Sequence, residues 1–211
     1  ERATENPTDR LRRRKGAKPL IKLPETRNSR HLTTDEIKAM LVALAEYGGS
    51  PLTVLAMKLK LLTFTRTEEL VAAEWSEVNF EKAEWTLPAH RMKMRRIHLV
   101  PLSRQAVEIL SELHSHTGTA RFLFPNLKSA QNHMSIKRMK IANFSAHGFR
   151  STASTILNEK KFRSAAIEMQ LAHAKKDKKV AGAYNHAQYI EERKEMMQAY
   201  ADLVLKHEPK T

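Results

Sequence analysis

Ser145-Ala146-His147-Gly148-Phe149-Arg150-Ser151-Thr152 is the stretch around which this chain is organised. It is completed downstream by Leu171-Ala172-His173 and Ala183-Tyr184-Asn185. A His and an Arg three positions apart share one face if a helix begins at His147. That face then sits at the electropositive helix start, where unpaired backbone N–H groups favour a phosphate. A second His and a Tyr add an acid or base and a nucleophile to these phosphate-oxygen donors. No carboxylate cluster accompanies them in the sequence, so the set does not read as a metal site.

Composition narrows the partner. Lys and Arg number 37 against 23 Asp and Glu, a surplus of 14 positive charges, and such a balance points to a polyanion, most commonly nucleic acid. A membrane surface fits less well, because no basic amphipathic helix with an aromatic face is present. No apolar run reaches membrane-spanning length. The chain has no Cys, which excludes disulfides, thiolate zinc sites and Cys nucleophiles and fits the cytosol. Its 211 residues suffice for a proper core. The first residue is Glu rather than Met, so the sequence is expected to be a fragment of something longer.

Outward from the central stretch, the chain divides at about residue 30. Residues 1–30 are basic and Pro-punctuated, with Arg10, Arg12, Arg13, Arg14 and Lys15 close together. They read as a linker or arm that either straps the DNA backbone or is an unstructured tail. Thr33 and Glu36 form a capping box for a helix through Tyr47, stopped by Gly48-Gly49. Ser50-Pro51 opens the apolar helix Leu52–Phe64, which is expected to be buried. A short helix follows, with Thr67 as its expected cap. Between Trp75 and Pro101 the period turns alternating, and Val78–Phe80, Glu84–Leu87 and Ile97–Val100 read as antiparallel strands. A basic tip, Pro88 to Arg96, joins the last two strands. Ser103 caps a helix to about His116, closed by Gly118. Phe122–Pro125 reads as a short apolar insert or a strand, and from Ser135 onward the pattern is helical: Ser135–Ala142, His147–Glu159, Ser164–Ala172, a turn around Val180–Tyr184, and Ala187–Lys206. The predicted class is mainly α with a small three-stranded antiparallel sheet (α+β).

Each candidate residue has an ordinary reading beside its functional one. Arg66 with Glu69 is either an anion-binding fork pinned by a carboxylate or a surface pair three residues apart. Lys93 at the hairpin tip is either a proton donor or a plain phosphate contact, and Arg91, Arg95 and Arg96 are candidates for phosphate contacts. His173, in the last turn of a helix, also suits a dipole cap. Of the tyrosines, Tyr47 and Tyr200 read as packing residues within helices, and Tyr189 as a packing residue at the start of the last one. Tyr184 follows the Lys-rich stretch containing Lys175 and Lys176. A phenol with an ordinary pKa near 10 is a poor nucleophile unless cations or a nearby base activate it.

Taken in order, Arg-x-x-Glu, hairpin Lys, His-x-x-Arg, His and Tyr, the sequence resembles the catalytic domain of tyrosine recombinases. More narrowly it is similar to the integrases of prophages and genomic islands. The stretches that carry the likeness are Leu62 to Leu70, Glu74 to Glu77, His90 to Ser103, His147 to Thr155, Ile167 to His173 and Ala183 to Asn185. It departs from the family in Thr65, where a small or apolar residue is common, in Ile97, where the subgroup often has Pro, and in a slightly long spacing from His173 to Tyr184.

The resemblance implies site-specific recombination of a mobile element on double-stranded attachment sites, without cofactor or metal. Tyr184 would attack the scissile phosphate, giving a 3′-phosphotyrosyl enzyme and a free 5′-hydroxyl. Arg66, Arg150 and His173 would hold the nonbridging oxygens, His147 would take the Tyr184 proton, and Lys93 would protonate the 5′-oxygen. Glu69 would orient these side chains from behind, and Arg91, Arg95, Arg96, Lys175 and Lys176 would touch the DNA backbone. A core-binding domain would precede the catalytic domain at 31–211, and the active species would be a tetramer on DNA in the bacterial cytoplasm, at the nucleoid; the isolated fragment would be a monomer. The last helix would dock on a neighbouring protomer or pack on its own domain. Rival readings are a type IB topoisomerase, a DNA-binding module without catalysis, and a metal-dependent nuclease.

Overall fold

The structure is a computed structural model and describes residues 31–126, 128–141, 144–145, 148–173 and 189–208. Helix α1, Thr34–Ala45, starts in the expected capping box: Thr33 Oγ1 accepts from Glu36 N and Glu36 accepts from Thr33 N. Helix α2, Pro51–Thr63, is apolar nearly all round and is accordingly buried nearly all round. It ends at Phe64, whose left-handed backbone (φ 56°) turns the chain into α3, Thr67–Val71. The cap of α3 is Arg66 rather than Thr67. Glu69, three positions on, reaches back to the Arg66 N–H and fixes the start one residue early.

Three strands follow, β1 Val78–Asn79, β2 Glu84–Leu87 and β3 His98–Pro101, antiparallel in the order β1-β2-β3. Trp85 pairs with Val100 and Leu87 with His98, and all four side chains are buried. Helix α4, Arg104–Thr117, is capped by Ser103 and ends at Gly118. The expected helix Ser135–Ala142 does not form. A single 3₁₀ turn at Ile136–Arg138 leads instead into the hairpin of β6 (Lys140–Ile141) and β7 (Phe144–Ser145). In this arrangement Ile136 is exposed and Met139 buried. A second hairpin pairs β4 Pro125–Asn126, at the end of the expected insert or strand, with an unexpected β5 Ser129–His133, and Asn126 Oδ1 accepts from Lys128 N between them. Its polar β5 carries no alternating signal.

Helices α5, Phe149–Glu159, α6, Ser164–Gln170, and α7, Ile190–Val204, complete the fold. α2 lies at its centre, packed against α3, α4, α5 and α7. α7 packs on its own domain, burying Met196, Met197, Tyr200, Ala201 and Val204. Tyr200 meets Phe64 edge-on at 4.6 Å. Tyr47 is not a packing residue: α1 ends before it, and it is 37% exposed. No helix among the described residues is long and apolar enough to cross a membrane.

Arg193 of α7 is almost fully buried. Its Nε (3.1 Å) and Nη2 (2.6 Å) donate to Gln170 Oε1 of α6, and Nη2 also donates to Leu99 O of β3. Gln170 in turn donates to Thr63 O at the end of α2 (3.3 Å), and its own carbonyl faces His98 Nε2 (3.1 Å). Replacing Arg193 by Met is expected to strip these acceptors of their donors and cost roughly 3 kcal/mol, read as a lower urea midpoint at unchanged slope.

Candidate active site

The site begins at the turn between α2 and α3. Arg66 Nη1 donates to Glu69 Oε1 at 2.7 Å while Arg66 N donates to Glu69 Oε2 at 2.7 Å. Glu69 is only 4% exposed, so this is no ordinary surface pair. The carboxylate fixes both the main chain and the fork of Arg66. Arg66 Nη2 reaches across to Ala172 O at 3.4 Å, directly before His173.

Arg150 arrives from the first turn of α5, and its two terminal nitrogens donate to Phe64 O and Leu171 O. Phe64 and Leu171 are the C-caps of α2 and α6. One guanidinium therefore caps two helix C-termini, where carbonyls carry excess negative charge. Burial and the neighbouring Arg66 press the Arg150 pKa down to about 10, against the upward pull of Glu69 and Glu168. It stays charged at neutral pH.

After α6 the chain turns through Ala172 in a left-handed conformation (φ 49°) and presents His173. His173 Nδ1 lies 2.7 Å from Glu168 Oε2, and its backbone N–H donates to Glu168 O. Glu168 thus sets the ring's orientation and commits Nδ1, leaving Nε2 as the other nitrogen for a substrate oxygen. The structure brings Arg66, Glu69, Arg150 and the backbone carrying His173 together from three separate helices.

Lys93, Arg95 and Arg96 stand exposed on the tip between β2 and β3, and Arg95 Nη1 donates back to His90 O at 2.9 Å. Arg91 does not join them. Its Nη2 turns inward to Glu77 Oε2 (2.9 Å) and Glu69 O (3.2 Å). With these acceptors already engaged and the side chain largely buried, Arg91 is a tie within the protein and not a DNA-facing cation. His147, Tyr184, Lys175, Lys176 and the arm at 1–30 lie outside the described residues, as do Ala142, Asn143 and the Val180–Tyr184 turn.

Sequence reasoning passed over four residues that build the site's floor: Lys60, His98, Gln170 and Arg193. Lys60 left a signal, one of two lysines (with Lys58) in an otherwise largely apolar helical run. Its Nζ donates to Thr65 O at 2.6 Å, holding the residue before Arg66. Burial, first, and then Arg150 lower its pKa to about 7, with Arg66 acting the same way and Glu69 opposing. His98 is pressed down to about 3 by burial and then by Arg193, so it is neutral at pH 7. His98, Gln170 and Arg193 left no comparable trace, because each acquires its role from partners distant in sequence.

Residues 30–191 match the model of the Phage integrase family. The integrase of Shigella phage Sf6 is 40% identical over 185 residues, which cover 83% of this chain and 48% of that protein. The chain thus spans about half the length of this relative. Among solved structures, the Tn1549 transposon integrase in complex with a circular intermediate DNA superposes with a TM-score of 0.59 at 11% identity, covering 89% of this chain and 63% of that one. The XerH site-specific recombinase bound to a palindromic difH substrate, a post-cleavage complex, gives 0.56 at 19% identity, covering 69% and 46%. The fold is that of tyrosine recombinase catalytic domains.

Lys60 makes a prediction with a definite sign. With its pKa near 7 in the folded chain and the ordinary lysine value of 10.5 in the unfolded one, the folded chain binds fewer protons than the unfolded one between those limits. Stability from this group therefore rises with pH from about 7 to about 10.5, by up to about 1.4 kcal/mol per pH unit. Lys60→Met is expected to flatten that slope in urea titrations at pH 7, 8 and 9. Equal slopes in both proteins would refute the buried, proton-shedding amine.

Proposed function

The chain belongs to the phage integrase family, and we propose that it performs site-specific DNA recombination through a covalent phosphotyrosine. The observation that carries this reading is the hanging of Arg66 and Arg150 from the same two turns, after α2 and after α6. Two forks sharing these turns, one with its pKa lowered first by burial and then by the other, make a site that favours further negative charge. A phosphate diester supplies it, and the charge that grows on its nonbridging oxygens in the transition state is stabilised most.

In this reading Tyr184 forms a bond from its phenolic oxygen to phosphorus as the bond from phosphorus to the 5′-oxygen breaks. His147 takes the phenol proton and the Lys93 ammonium gives one to the departing oxygen, so a neutral 5′-hydroxyl leaves. His173, oriented by Glu168, donates to the same phosphate oxygens as the arginines. A 5′-hydroxyl from a partner duplex reverses the step and exchanges strands. The exposed tip residues Arg95 and Arg96, together with Lys175 and Lys176, contact the DNA backbone. Residues 1–30 serve as an arm joining this catalytic unit to a DNA-clamping domain. The working assembly is a tetramer on paired attachment sites, acting at the nucleoid in the bacterial cytoplasm.

A nicked suicide duplex carrying the attachment site tests this in the full-length protein. A covalent adduct that survives EDTA is expected, and Tyr184→Phe abolishes it. Arg150→Ala is expected to slow adduct formation by a factor of about 10² to 10³. An adduct that persists in Tyr184→Phe and maps by mass spectrometry to another tyrosine would overturn the assignment of the nucleophile. Loss of all reaction on chelation would overturn the mechanism.

A further inference from the structure

Glu69 is engaged at both ends. Its carboxylate holds Arg66, while its main-chain carbonyl accepts from Arg91 Nη2 at 3.2 Å. The same Arg91 nitrogen donates to Glu77 Oε2 at 2.9 Å, and that oxygen also accepts from Trp85 Nε1 at 3.0 Å. The Arg91 and Glu77 side chains are 13% and 8% exposed. Met92, the next residue, is buried, and from Lys93 to Ile97 every side chain is exposed. The tip therefore emerges from the protein after Met92, one residue beyond Arg91.

This is an odd place for a guanidinium if stability were its purpose. Arg91 Nε and Nη1 are buried with no hydrogen-bond partner among the described residues. Burial also raises the pKa of Glu77, against the pull of Trp85 and Arg91. A buried ion pair with donors left over stabilises poorly compared with an apolar side chain of similar size. What the pair does supply is direction, tying the root of the tip to the carbonyl of the residue that holds Arg66.

We propose that Arg91 is a positioning residue for Lys93, tying the root of the tip to Glu69 and Glu77 so that the Lys93 ammonium meets the leaving 5′-oxygen of a phosphate held by Arg66. The assignment rests on the reading of Lys93 as the proton donor. In the step concerned, the bond from phosphorus to the 5′-oxygen breaks and one proton passes from the ammonium to that oxygen. Arg91 itself touches neither.

A substrate whose bridging 5′-oxygen is replaced by sulfur isolates this step, because a thiolate leaves without needing a proton. Full-length wild type, Lys93→Ala, Arg91→Met and Arg91→Lys are compared on oxygen and sulfur suicide duplexes, with DNA affinity and thermal midpoint measured for each. Lys93→Ala is expected to lose about 10² or more of the cleavage rate on oxygen and to recover on sulfur. Arg91→Met is expected to bind DNA as wild type does, to lose about tenfold or more on oxygen, and to recover on sulfur. Arg91→Lys, which keeps a cation for Glu77 without the fork, is expected to fall between. Rescue of Lys93→Ala without rescue of Arg91→Met would overturn the assignment of Arg91 alone, as would an Arg91→Met that cleaves oxygen at the wild-type rate. Failure of sulfur to rescue Lys93→Ala would overturn the reading of Lys93 and the assignment with it.

Discussion

Two guanidinium groups held against the carbonyl ends of two helices are the constraint on which the rest of this structure depends. Arg150 caps α2 and α6 together, and Arg66 reaches the next carbonyl of the same α6 turn, that of Ala172. Like charges this close repel, and burial adds to the difficulty. Partial negative charge on the helix-end carbonyls and the Glu69 carboxylate offset it. Remove the turns and the arginines have no reason to converge.

That arrangement explains several features of the backbone. Phe64 and Ala172 both adopt left-handed conformations, uncommon for residues with a side chain. Each occurs where a helix ends and a carbonyl is turned toward an arginine. Lys60 holds the next carbonyl, that of Thr65. Burial, ahead of Arg150, lowers the Lys60 pKa to about 7, which lightens the positive charge beside Arg66 and Arg150, while Glu69 and Glu168 act on Arg150 from the negative side. An incoming phosphate then completes a site whose donors are already oriented, and little reorganisation remains to be done during reaction.

Around this centre, buried polar groups do the aligning. The Gln170 amide joins the end of α2 to α6, Arg193 brings in α7 and β3, and His98 is neutral against the Gln170 carbonyl. These contacts, with the buried apolar face of Met196, Met197, Tyr200, Ala201 and Val204, hold α7 on its own domain. They also join the element bearing His173 to the strand that follows the Lys93 tip. The tip's other root is the Arg91 tie. Both flanks of the hairpin are thus referred to the same helices that carry the arginine clamp.

Much of this was legible in the residues themselves, because it is local. The Thr33 and Glu36 box, Pro51 at a helix start, Gly118 at a helix end and the alternation of Glu84–Leu87 each act over a few positions and appear as read. The order of Arg66, Lys93, Arg150 and His173 indicated a site, although Arg66 with Glu69 alone looked like a surface pair. Long-range packing decided what the residues could not state: that Glu69 is buried, that Arg91 faces inward while Arg95 and Arg96 do not, and that Lys60 and Arg193 belong to the floor. The segment after Ser135, expected to be helical, pairs as β6 and β7 because strand pairing is settled by neighbours in space. The chain by itself set which groups were available and how each short element would start and stop. Which of those groups would face a substrate and which would be consumed holding the others was set by burial, and burial exists only once distant segments have met.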